Sequence, residues 1–402
     1  MILKQLNGGF NFLIQILNKP MKKILIPFTI LIIIGCGGGG EGNSMVESNE
    51  ANSILPINNT LPSNTTWPGY TWDVVENTED AGMDAIKLSQ ALDYAFLESR
   101  NTQGVVVVRH GVIVAERYKE GFNKDSLATS WSAAKSFTSA LIGLAIDQGY
   151  INSVDDKACI YLIEWDCGEL VCQAIGCPLS RGEISIRDIL EMRSGLEEKS
   201  GVSIYTGADD QLAYSLDRLA FDPPGTKFVY SNEDSMILGA IIKTATGLTV
   251  KDYAEKELFT QLEMNGDWWT DKENHTMTYC CIDATSRDFA RFGLLFARQG
   301  AWNQNKIITQ EWVDESNKVA TGLSNYGLHW WVYPSTGFIG ALGLHTNDIW
   351  VSKDLDLVVV RNSTYTKVGS DSIRTGSNIH ITTGPSSWNN TEFLTYITSS
   401  IN

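Results

Sequence analysis

The sequence predicts an α+β fold in which strands from both ends of the chain form one antiparallel sheet flanked by helices. Two β-branched runs around Arg109-His110-Gly111 predict a hairpin over residues 104–118. Short aromatic and β-branched segments return after residue 325, and the loop at residues 352–354 predicts another hairpin. Between these strands, a mainly helical lobe is expected over about residues 131–310, inserted into the sheet domain.

Apolar residues recurring every three or four positions predict the individual helices. The chain also offers residues that end helices, because Gly247 and Gly300 follow two of the apolar patterns. The last strand segments are short and rich in aromatic or β-branched residues. They are HWWVYP, GFIGALGL, NDIWV and LDLVVVR. The expected helices cover residues 85–99, 184–192, 235–246, 283–300 and 391–401.

Composition excludes several classes of function. The chain has 402 residues, of which 43% are hydrophobic and 19% charged, as in globular domains. Its formal net charge is −16, and it lacks the Lys/Arg cluster that contacts with nucleic-acid phosphates require. The segment GCGGGG at residues 35–40 matches G-x-G-x-x-G, but no amphipathic helix follows it. We therefore expect no nucleic-acid partner and no dinucleotide site. The function predicted from the motifs below also requires no metal or cofactor.

The N-terminus predicts export. Residues 1–35 form a signal peptide, with Met21 as an alternative start, because a basic stretch precedes an apolar run from Ile24 to Ile34. This run is too short to be a membrane-spanning helix, which requires about 20 apolar residues. Gly35-Cys36 resembles the lipobox of bacterial lipoproteins, which implies lipid attachment at Cys36. We expect an exported, lipid-anchored protein of the outer membrane or periplasm of a Gram-negative bacterium.

A flexible tether is expected over residues 36–70, which are rich in Asn, Ser, Thr, Gly and Pro. The folded domain would then span residues 71–402. Six cysteines follow Cys36, and export makes disulfides possible. One to three disulfides are expected with the pairing open, and a zinc site is the competing interpretation. These six are Cys159, Cys167, Cys172, Cys177, Cys280 and Cys281.

Ser132 and Lys135 lie three residues apart at the start of an apolar helical segment, and such residues share one face of a helix. In one interpretation Ser132 is an ordinary N-cap and Lys135 a surface charge. In the other, Lys135 is a base that activates the Ser132 hydroxyl, which is a weak nucleophile on its own. An apolar surrounding would favour the second, because burial lowers a lysine pKa from about 10.4 to roughly 7–8.

A second polar unit, Tyr230-Ser231-Asn232, follows a Pro-Gly turn and precedes a predicted helix. Asn232 could simply cap that helix. Alternatively, the Tyr230 hydroxyl could relay a proton while the Asn232 amide holds a substrate carbonyl. Four tryptophans, Trp268-Trp269 and Trp330-Trp331, could line an apolar pocket, although core packing is the more common role of tryptophan.

SAAK at residues 132–135 and YSN at residues 230–232 together resemble the S-x-x-K and Y-x-N motifs of the serine penicillin-recognising hydrolases. The resemblance covers roughly residues 88–361 and is nearest to the class C beta-lactamase-like branch, in particular the 6-aminohexanoate-dimer hydrolases. It implies a beta-lactamase/transpeptidase-like fold, with Ser132 as the acylated nucleophile and Lys135 as its base. It further implies that Tyr230 shuttles protons and that Asn232 orients both the substrate and Lys135.

The third motif of that family, K-T-G or H-T-G, departs from the pattern here. Its place corresponds to residues 341–343 (Ala-Leu-Gly), where the basic residue is missing, as in the 6-aminohexanoate-dimer hydrolases. The resemblance implies that Gly343 lets substrate approach the strand and that the Leu344 N–H forms an oxyanion hole with that of Ser132. His345 is a further substrate-binding candidate, because His345-Thr346 could be a remnant of H-T-G.

These features predict a serine hydrolase that cleaves a small carboxylic ester or linear amide through an acyl-enzyme at Ser132. One rival is a beta-lactamase or D-alanyl-D-alanine carboxypeptidase, which the missing cation near Ala341 disfavours. The other is a non-catalytic surface lipoprotein that uses the fold for binding. That second rival is disfavoured by the complete set of catalytic candidates, which are Ser132, Lys135, Tyr230 and Asn232.

Overall fold

The computed structural model describes residues 66–168, 180–199, 204, 208–366 and 381–402. The predicted signal peptide, Cys36, the tether up to residue 65, Cys172 and Cys177 lie outside the described residues. No helix within the described ranges is both long enough and apolar enough to cross a membrane.

Twelve strands are described. In chain order they are β1 (Thr102–Arg109), β2 (Val112–Tyr118), β3 (Leu127–Thr129), β4 (Asp267–Trp268), β5 (Ile282–Thr285), β6 (Ala301–Trp302), β7 (Asn305–Lys306), β8 (Trp331–Tyr333), β9 (Phe338–Gly343), β10 (Asn347–Ser352), β11 (Leu357–Thr366) and β12 (Ile381–Thr383).

The α-helices are named in the same way. They are α1 (Ala85–Ala95), α2 (Ala134–Asp147), α3 (Ile186–Leu190), α4 (Gln211–Leu216), α5 (Asn232–Thr246), α6 (Val250–Ala254), α7 (Ser286–Ala297), α8 (Gln310–Ser316) and α9 (Asn390–Ser399). Helix α6 continues through a π-helical turn, Glu255–Phe259, and a last turn, Thr260–Leu262.

The main sheet has seven antiparallel strands in the order β2-β1-β11-β10-β9-β8, with β12 also paired to β11. The first and last parts of the chain therefore meet at its centre, as the sequence predicted. Val106 of β1 pairs with Val360 of β11, and the predicted turn at His110-Gly111 joins β1 to β2. Strands β10 and β11 form the second predicted hairpin. Strands β3, β5 and β4 make a small second sheet.

Both faces of the main sheet are covered. The four consecutive valines of β1 are all fully buried, which is typical of a strand packed on both sides. Val106 and Val108 face a core that includes α2, α5 and α7, whereas Val105 and Val107 face α1 and α9. This alternation follows from the two-residue period of a strand. The chain thus forms the expected antiparallel sheet with helices on either side and a mainly helical lobe between β2 and β8.

Two local predictions are corrected by the fold. Residues 283–285 belong to strand β5 rather than to the start of the helix that ends near Gly300. Residues 66–70, which the sequence assigned to the tether, are attached to the domain, because Arg291 donates hydrogen bonds to the carbonyls of Gly69 (2.7 Å) and Tyr70 (3.1 Å). These five residues carry no helical or strand pattern in the sequence, and part of their attachment uses backbone carbonyls.

The described residues contain two disulfides, Cys159–Cys167 and Cys280–Cys281. Their number falls within the predicted one to three. Because these four sulfurs are paired with one another, they are not free to bind zinc as thiolates.

Candidate active site

Ser132 lies on a single 3₁₀ turn, Trp131–Ala133, that leads directly into α2. The turn is anchored to the small sheet, because the Ser130 N–H donates to the Ile282 carbonyl (2.9 Å) and the Ile282 N–H donates to Ser130 Oγ (2.8 Å). No side chain caps the start of this helix by a hydrogen bond. Ser132 is therefore not an N-cap, and its hydroxyl is left for another partner.

Lys135 is buried, with an exposed fraction of 1%, so the interpretation as a surface charge is wrong. Its Nζ lies 3.1 Å from Ser132 Oγ, 2.7 Å from Asn232 Oδ1 and 3.0 Å from the Tyr279 carbonyl oxygen. The turn before α2, the start of α5 and the segment before β5 supply these three partners. The insertion of the helical lobe thus brings the two sequence motifs into one hydrogen-bonded group.

The partners of Lys135 match the needs of a neutral amine. A neutral lysine has two N–H donors and one lone pair, and the Asn232 and Tyr279 carbonyl oxygens can only accept hydrogen bonds. If each takes one N–H, the lone pair is left for the Ser132 hydroxyl. Burial lowers the pKa of Lys135 to about 7, against an opposing attraction from the nearby Glu233 carboxylate. A substantial neutral fraction is therefore present at neutral pH.

Tyr230 contacts the same two groups. Its ring centroid lies 4.8 Å from Lys135 Nζ, and the Ser132 side chain is near enough to the Tyr230 hydroxyl to affect its pKa. Although 38% of the side chain is exposed, the atoms packed around it raise the pKa of the phenol to about 12, with the Ser132 side chain opposing this rise. Trp331 stacks on the ring at 5.8 Å and Tyr326 meets it edge-on at 6.1 Å. Tyr230 is thus a protonated, oriented hydroxyl beside the nucleophile.

Asn232 is the first residue of α5 and does not cap it. The cap is Ser231, whose side chain accepts the Asp234 N–H. Asp234 in turn pairs with Arg218 at 2.6 Å, and both side chains are buried. This pair fixes the helix start, so the Asn232 side chain is free to reach Lys135. The structure therefore favours the functional interpretation of Asn232 over capping.

Gly343 ends β9, the strand that borders the Trp131–Ala133 turn. A Cβ at this position would lie 2.2 Å from the Ser130 carbonyl oxygen and 2.7 Å from the Asn347 carbonyl oxygen. This contact requires glycine independently of any substrate, and the approach of substrate to this strand stays a prediction. Glycine is required here because the strand end packs directly against the chain that carries Ser132.

Leu344 and His345 follow in a tight turn. The Leu344 side chain is half exposed, and its position next to Gly343 keeps its backbone close to the segment that holds Ser132. The His345 ring packs edge-on to Trp131 at 6.5 Å. Burial and the Arg361 charge lower the pKa of His345, so it is neutral at neutral pH. None of its described hydrogen bonds joins it to Ser132, Lys135 or Tyr230.

Three of the four tryptophans singled out in the sequence, Trp268, Trp269 and Trp330, are fully buried core residues. Only Trp331 reaches the site, through Tyr230. A cavity of about 260 Å³ opens beside Tyr230 and Asn232. Its wall carries both acidic and basic side chains, including Glu197, Glu198, Lys199, Lys227 and Glu233.

Sequence reasoning missed the Tyr279 carbonyl and Glu233. A backbone carbonyl leaves no trace in the sequence, because any residue can supply it. Glu233 lies between Asn232 and Asp234, where acidic residues commonly favour a helix N-terminus, so nothing distinguished it.

One group of side chains in the described residues could hold a metal ion: Asp210, Asp271 and His275. His275 Nδ1 lies 3.3 Å from a carboxylate oxygen of each aspartate. The hydrogen bond to Asp271 raises the pKa of His275. Asp271 also accepts hydrogen bonds from the backbone N–H groups of Gln211, Glu273 and His275. The group therefore stabilises the loop that carries it and serves as an ion pair.

The chain is similar to known proteins in sequence and in fold. The family model described as Beta-lactamase matches residues 75–381. The chain is 24% identical to the 6-aminohexanoate-dimer hydrolase of Paenarthrobacter ureafaciens over 293 residues, which cover 67% of this chain and 74% of that protein.

Solved structures show the same fold. A Bacillus anthracis protein named as a 6-aminohexanoate-dimer hydrolase aligns with a TM-score of 0.58 at 22% identity, over 78% of this chain and 83% of that one. A Bacteroides dorei protein named as a beta-lactamase aligns with a TM-score of 0.60 at 18% identity, over 80% of this chain and 99% of that one.

Proposed function

Because the chain belongs to the beta-lactamase family of serine hydrolases, we propose that it hydrolyses a linear amide or carboxylic ester through an acyl-enzyme at Ser132. The observation that carries this proposal is the environment of Lys135, a buried amine whose two carbonyl acceptors leave its lone pair for the Ser132 hydroxyl.

In acylation, neutral Lys135 takes the Ser132 proton as Oγ attacks the substrate carbonyl carbon. The backbone N–H groups of Ser132 and Leu344 stabilise the oxyanion of the tetrahedral intermediate. Tyr230, which stays protonated at neutral pH, donates its proton to the leaving amine or alcohol and regains one from Lys135. The carbonyl–leaving group bond breaks, and the acyl group remains on Ser132.

In deacylation, the same groups act on water in the reverse order. Water gives a proton to the Tyr230–Lys135 pair as its oxygen attacks the acyl carbon. The Ser132 oxygen leaves and recovers a proton, which restores the starting site. Ser132 and Lys135 already lie within hydrogen-bond distance, and each proton in the two steps has a donor and an acceptor.

The substrate class we propose is a short linear amide, with 6-aminohexanoate oligomers as the type to test. The relative from Paenarthrobacter ureafaciens, named for that substrate, supports this choice. Ala341, fully buried on β9, stands where penicillin-recognising enzymes carry the cation of their third motif, so we place beta-lactams and D-alanyl peptides second.

The activated serine can be tested by intact-protein mass spectrometry after reaction with a fluorophosphonate ester. We expect one adduct on the wild type and none on Ser132→Ala. Ser136→Ala is a matched control, because its hydroxyl is buried one helical turn away on a backbone carbonyl and should leave labelling intact. A folded wild type that forms no adduct would favour a binding protein over an enzyme.

We further propose that the chain is an exported lipoprotein anchored through Cys36 to the outer membrane. Gly35-Cys36 after an apolar run supports this proposal. Expression in a Gram-negative host with a labelled fatty acid should give a lipidated band that Cys36→Ala abolishes. Label retained on Cys36→Ala would place the anchor elsewhere, and absence of label from both would argue for a soluble form.

A further inference from the structure

We propose that Arg361 is a positioning residue for the reaction: it locks the turn Leu344–Thr346 so that the Leu344 backbone N–H stays where the oxyanion forms. This inference rests on the proposed function, in which that N–H is one of the two oxyanion donors. Arg361 acts on the turn through the carbonyls of His345 and Thr346.

The turn is held by side chains rather than by repeating backbone pairs. Arg361 Nη1 donates to the carbonyls of His345 (2.8 Å) and Thr346 (3.0 Å), and also to the Thr346 hydroxyl. The Ser363 hydroxyl donates to the same His345 carbonyl at 2.6 Å. The Asn347 amide donates to the Leu344 carbonyl at 2.7 Å. Side chains of β10 and β11 therefore anchor every carbonyl from Leu344 to Thr346.

The backbone of this turn is strained. His345 has φ = 63° and Thr346 has φ = 60°, so two consecutive non-glycine residues adopt the left-handed conformation. Such residues are energetically costly and persist only where surrounding contacts enforce them. The β-branched Thr346 is especially unfavourable there. Because Arg361 contacts both residues, it is the group best placed to impose this conformation.

The other oxyanion donor has a similar neighbour. Trp131, which precedes Ser132, has φ = 46°. The two residues that carry the proposed donors are thus each flanked by a left-handed residue, on opposite sides of the contact between Gly343 and Ser130. Strained backbone concentrated on both sides of one small space is typical of a pre-organised site.

Arg361 is itself held rigidly. Its exposed fraction is 1%, and its Nε and Nη2 donate to Thr102 Oγ1 at 3.2 and 3.0 Å. Nη2 also donates to the Arg100 carbonyl at 2.5 Å, and the guanidinium lies 4.8 Å from the Trp388 ring centroid. Burial lowers its pKa to about 10, with Asp348 opposing, so it is charged at neutral pH. A buried cation is a costly way to stabilise a sheet, because apolar residues of similar volume serve as well or better.

The test compares Arg361→Met with Arg291→Met in the full chain. Arg291 is equally buried and also donates to backbone carbonyls, but it holds Leu262, Gly69 and Tyr70, away from the candidate site. The rate of phosphonylation by the fluorophosphonate ester is measured against reagent concentration. The dependence of the rate on reagent concentration gives two quantities. The limiting rate depends on the oxyanion hole, and the reagent concentration at half of that rate does not.

We expect Arg361→Met to lower the limiting rate about 10- to 100-fold with little change in half-saturation, since loss of one donor costs about 10²–10³. Arg361→Lys should recover part of that rate. Arg291→Met should lower the melting temperature comparably but keep the wild-type rate. A folded Arg361→Met with the wild-type limiting rate would overturn the inference.

If Arg361→Met does not fold, Ser363→Ala replaces it, because it removes one of the two donors to the His345 carbonyl. We expect a smaller loss of limiting rate, about 3- to 10-fold, and an unchanged rate would again overturn the inference. Failure of the proposed function looks different, because the wild type itself would then form no adduct at Ser132.

Discussion

At the scale of single residues, burial shifts the Lys135 and Tyr230 pKa values in opposite directions. It lowers the pKa of Lys135 to about 7 and raises that of Tyr230 to about 12, because burial disfavours the charged form of each group. At neutral pH the lysine can accept a proton and the tyrosine can donate one. The same surroundings thus provide a base and an acid within reach of one hydroxyl.

The limiting rate of phosphonylation should rise with pH with a midpoint near 7, because only the neutral form of Lys135 accepts the Ser132 proton. Measuring the limiting phosphonylation rate at a series of pH values between 5.5 and 9 would give this profile. Asn232→Asp is an informative variant, since a carboxylate 2.7 Å from Nζ should raise the lysine pKa and move the midpoint upward by a unit or more. A flat profile across this range would rule out Lys135 as the base.

Lys135→Met should abolish labelling, with a loss of at least about 10³ in rate, and should also change how stability depends on pH. The folded-state pKa of Lys135 lies below its unfolded value, so the unfolded state binds more protons between about pH 7 and 10.5. Wild-type stability therefore rises with pH in this window, relative to the variant. The free energy of unfolding in urea, taken as that of Lys135→Met minus that of the wild type, should fall by roughly 2 kcal/mol from pH 6 to 9. A constant difference would contradict the lowered pKa.

The sequence was sufficient to predict that four side chains meet, because S-x-x-K and Y-x-N are patterns of side chains. The four residues are Ser132, Lys135, Tyr230 and Asn232. The sequence did not predict Tyr279 or Arg361. Tyr279 contributes a carbonyl, and Arg361 follows a run of valines on β11, where an arginine ordinarily predicts the end of a buried strand. The sequence also did not reveal that Gly343 packs against Ser130, since this close approach depends on tertiary packing.

At the scale of elements, helix α7 illustrates how a tertiary contact changes a local prediction. A capping box of Thr285 and Asp288 starts the helix at Ser286. Asp283, predicted to be helical, lies on β5 instead, where it accepts hydrogen bonds from Trp269 and Tyr365. The sequence pattern of the helix was correct over its apolar length, but its start depends on strand pairing with β3 and β4.

Gly293→Ala should destabilise the fold by about 1–3 kcal/mol through overpacking. A Cβ there would lie 2.5 Å from Val358 Cγ1 and 2.9 Å from Ile349 Cγ2, because α7 lies directly on the sheet. Gly239→Ala in α5 is the control, since its nearest contact, with Thr278, would be 3.1 Å and helix propensity favours alanine. Thermal unfolding of both variants would measure the difference, and equal melting temperatures would contradict close packing at Gly293.

At the scale of the whole molecule, the domain extends a few residues further toward the N-terminus than composition indicates. The half-buried Trp67 ring lies 5.8 Å from Trp302 and 4.5 Å from the Arg298 guanidinium. Arg291 and Arg298 both donate to carbonyls of residues 66–70. These contacts join the end of the predicted tether to α7 and the β6–β7 hairpin.

A chain that begins at Thr71 should therefore be less stable than one that begins at Thr66, by about 2–4 kcal/mol, as for removal of a large packed aromatic side chain. Chemical denaturation of the two shortened chains would measure this difference. Trp67→Ala in the longer chain should reproduce most of the loss. Equal stability of the two chains would show that residues 66–70 contribute nothing to folding.

The pairing of β1 with β11 also has a consequence for biosynthesis. The ribosome makes the β1–β2 hairpin early, yet the strand that covers the inner edge of β1 is among the last segments to emerge. Until then, four valines and an unpaired strand edge remain open to other chains. Such delayed, long-range pairing favours aggregation before completion. We therefore expect any premature stop before residue 357 to yield an insoluble product.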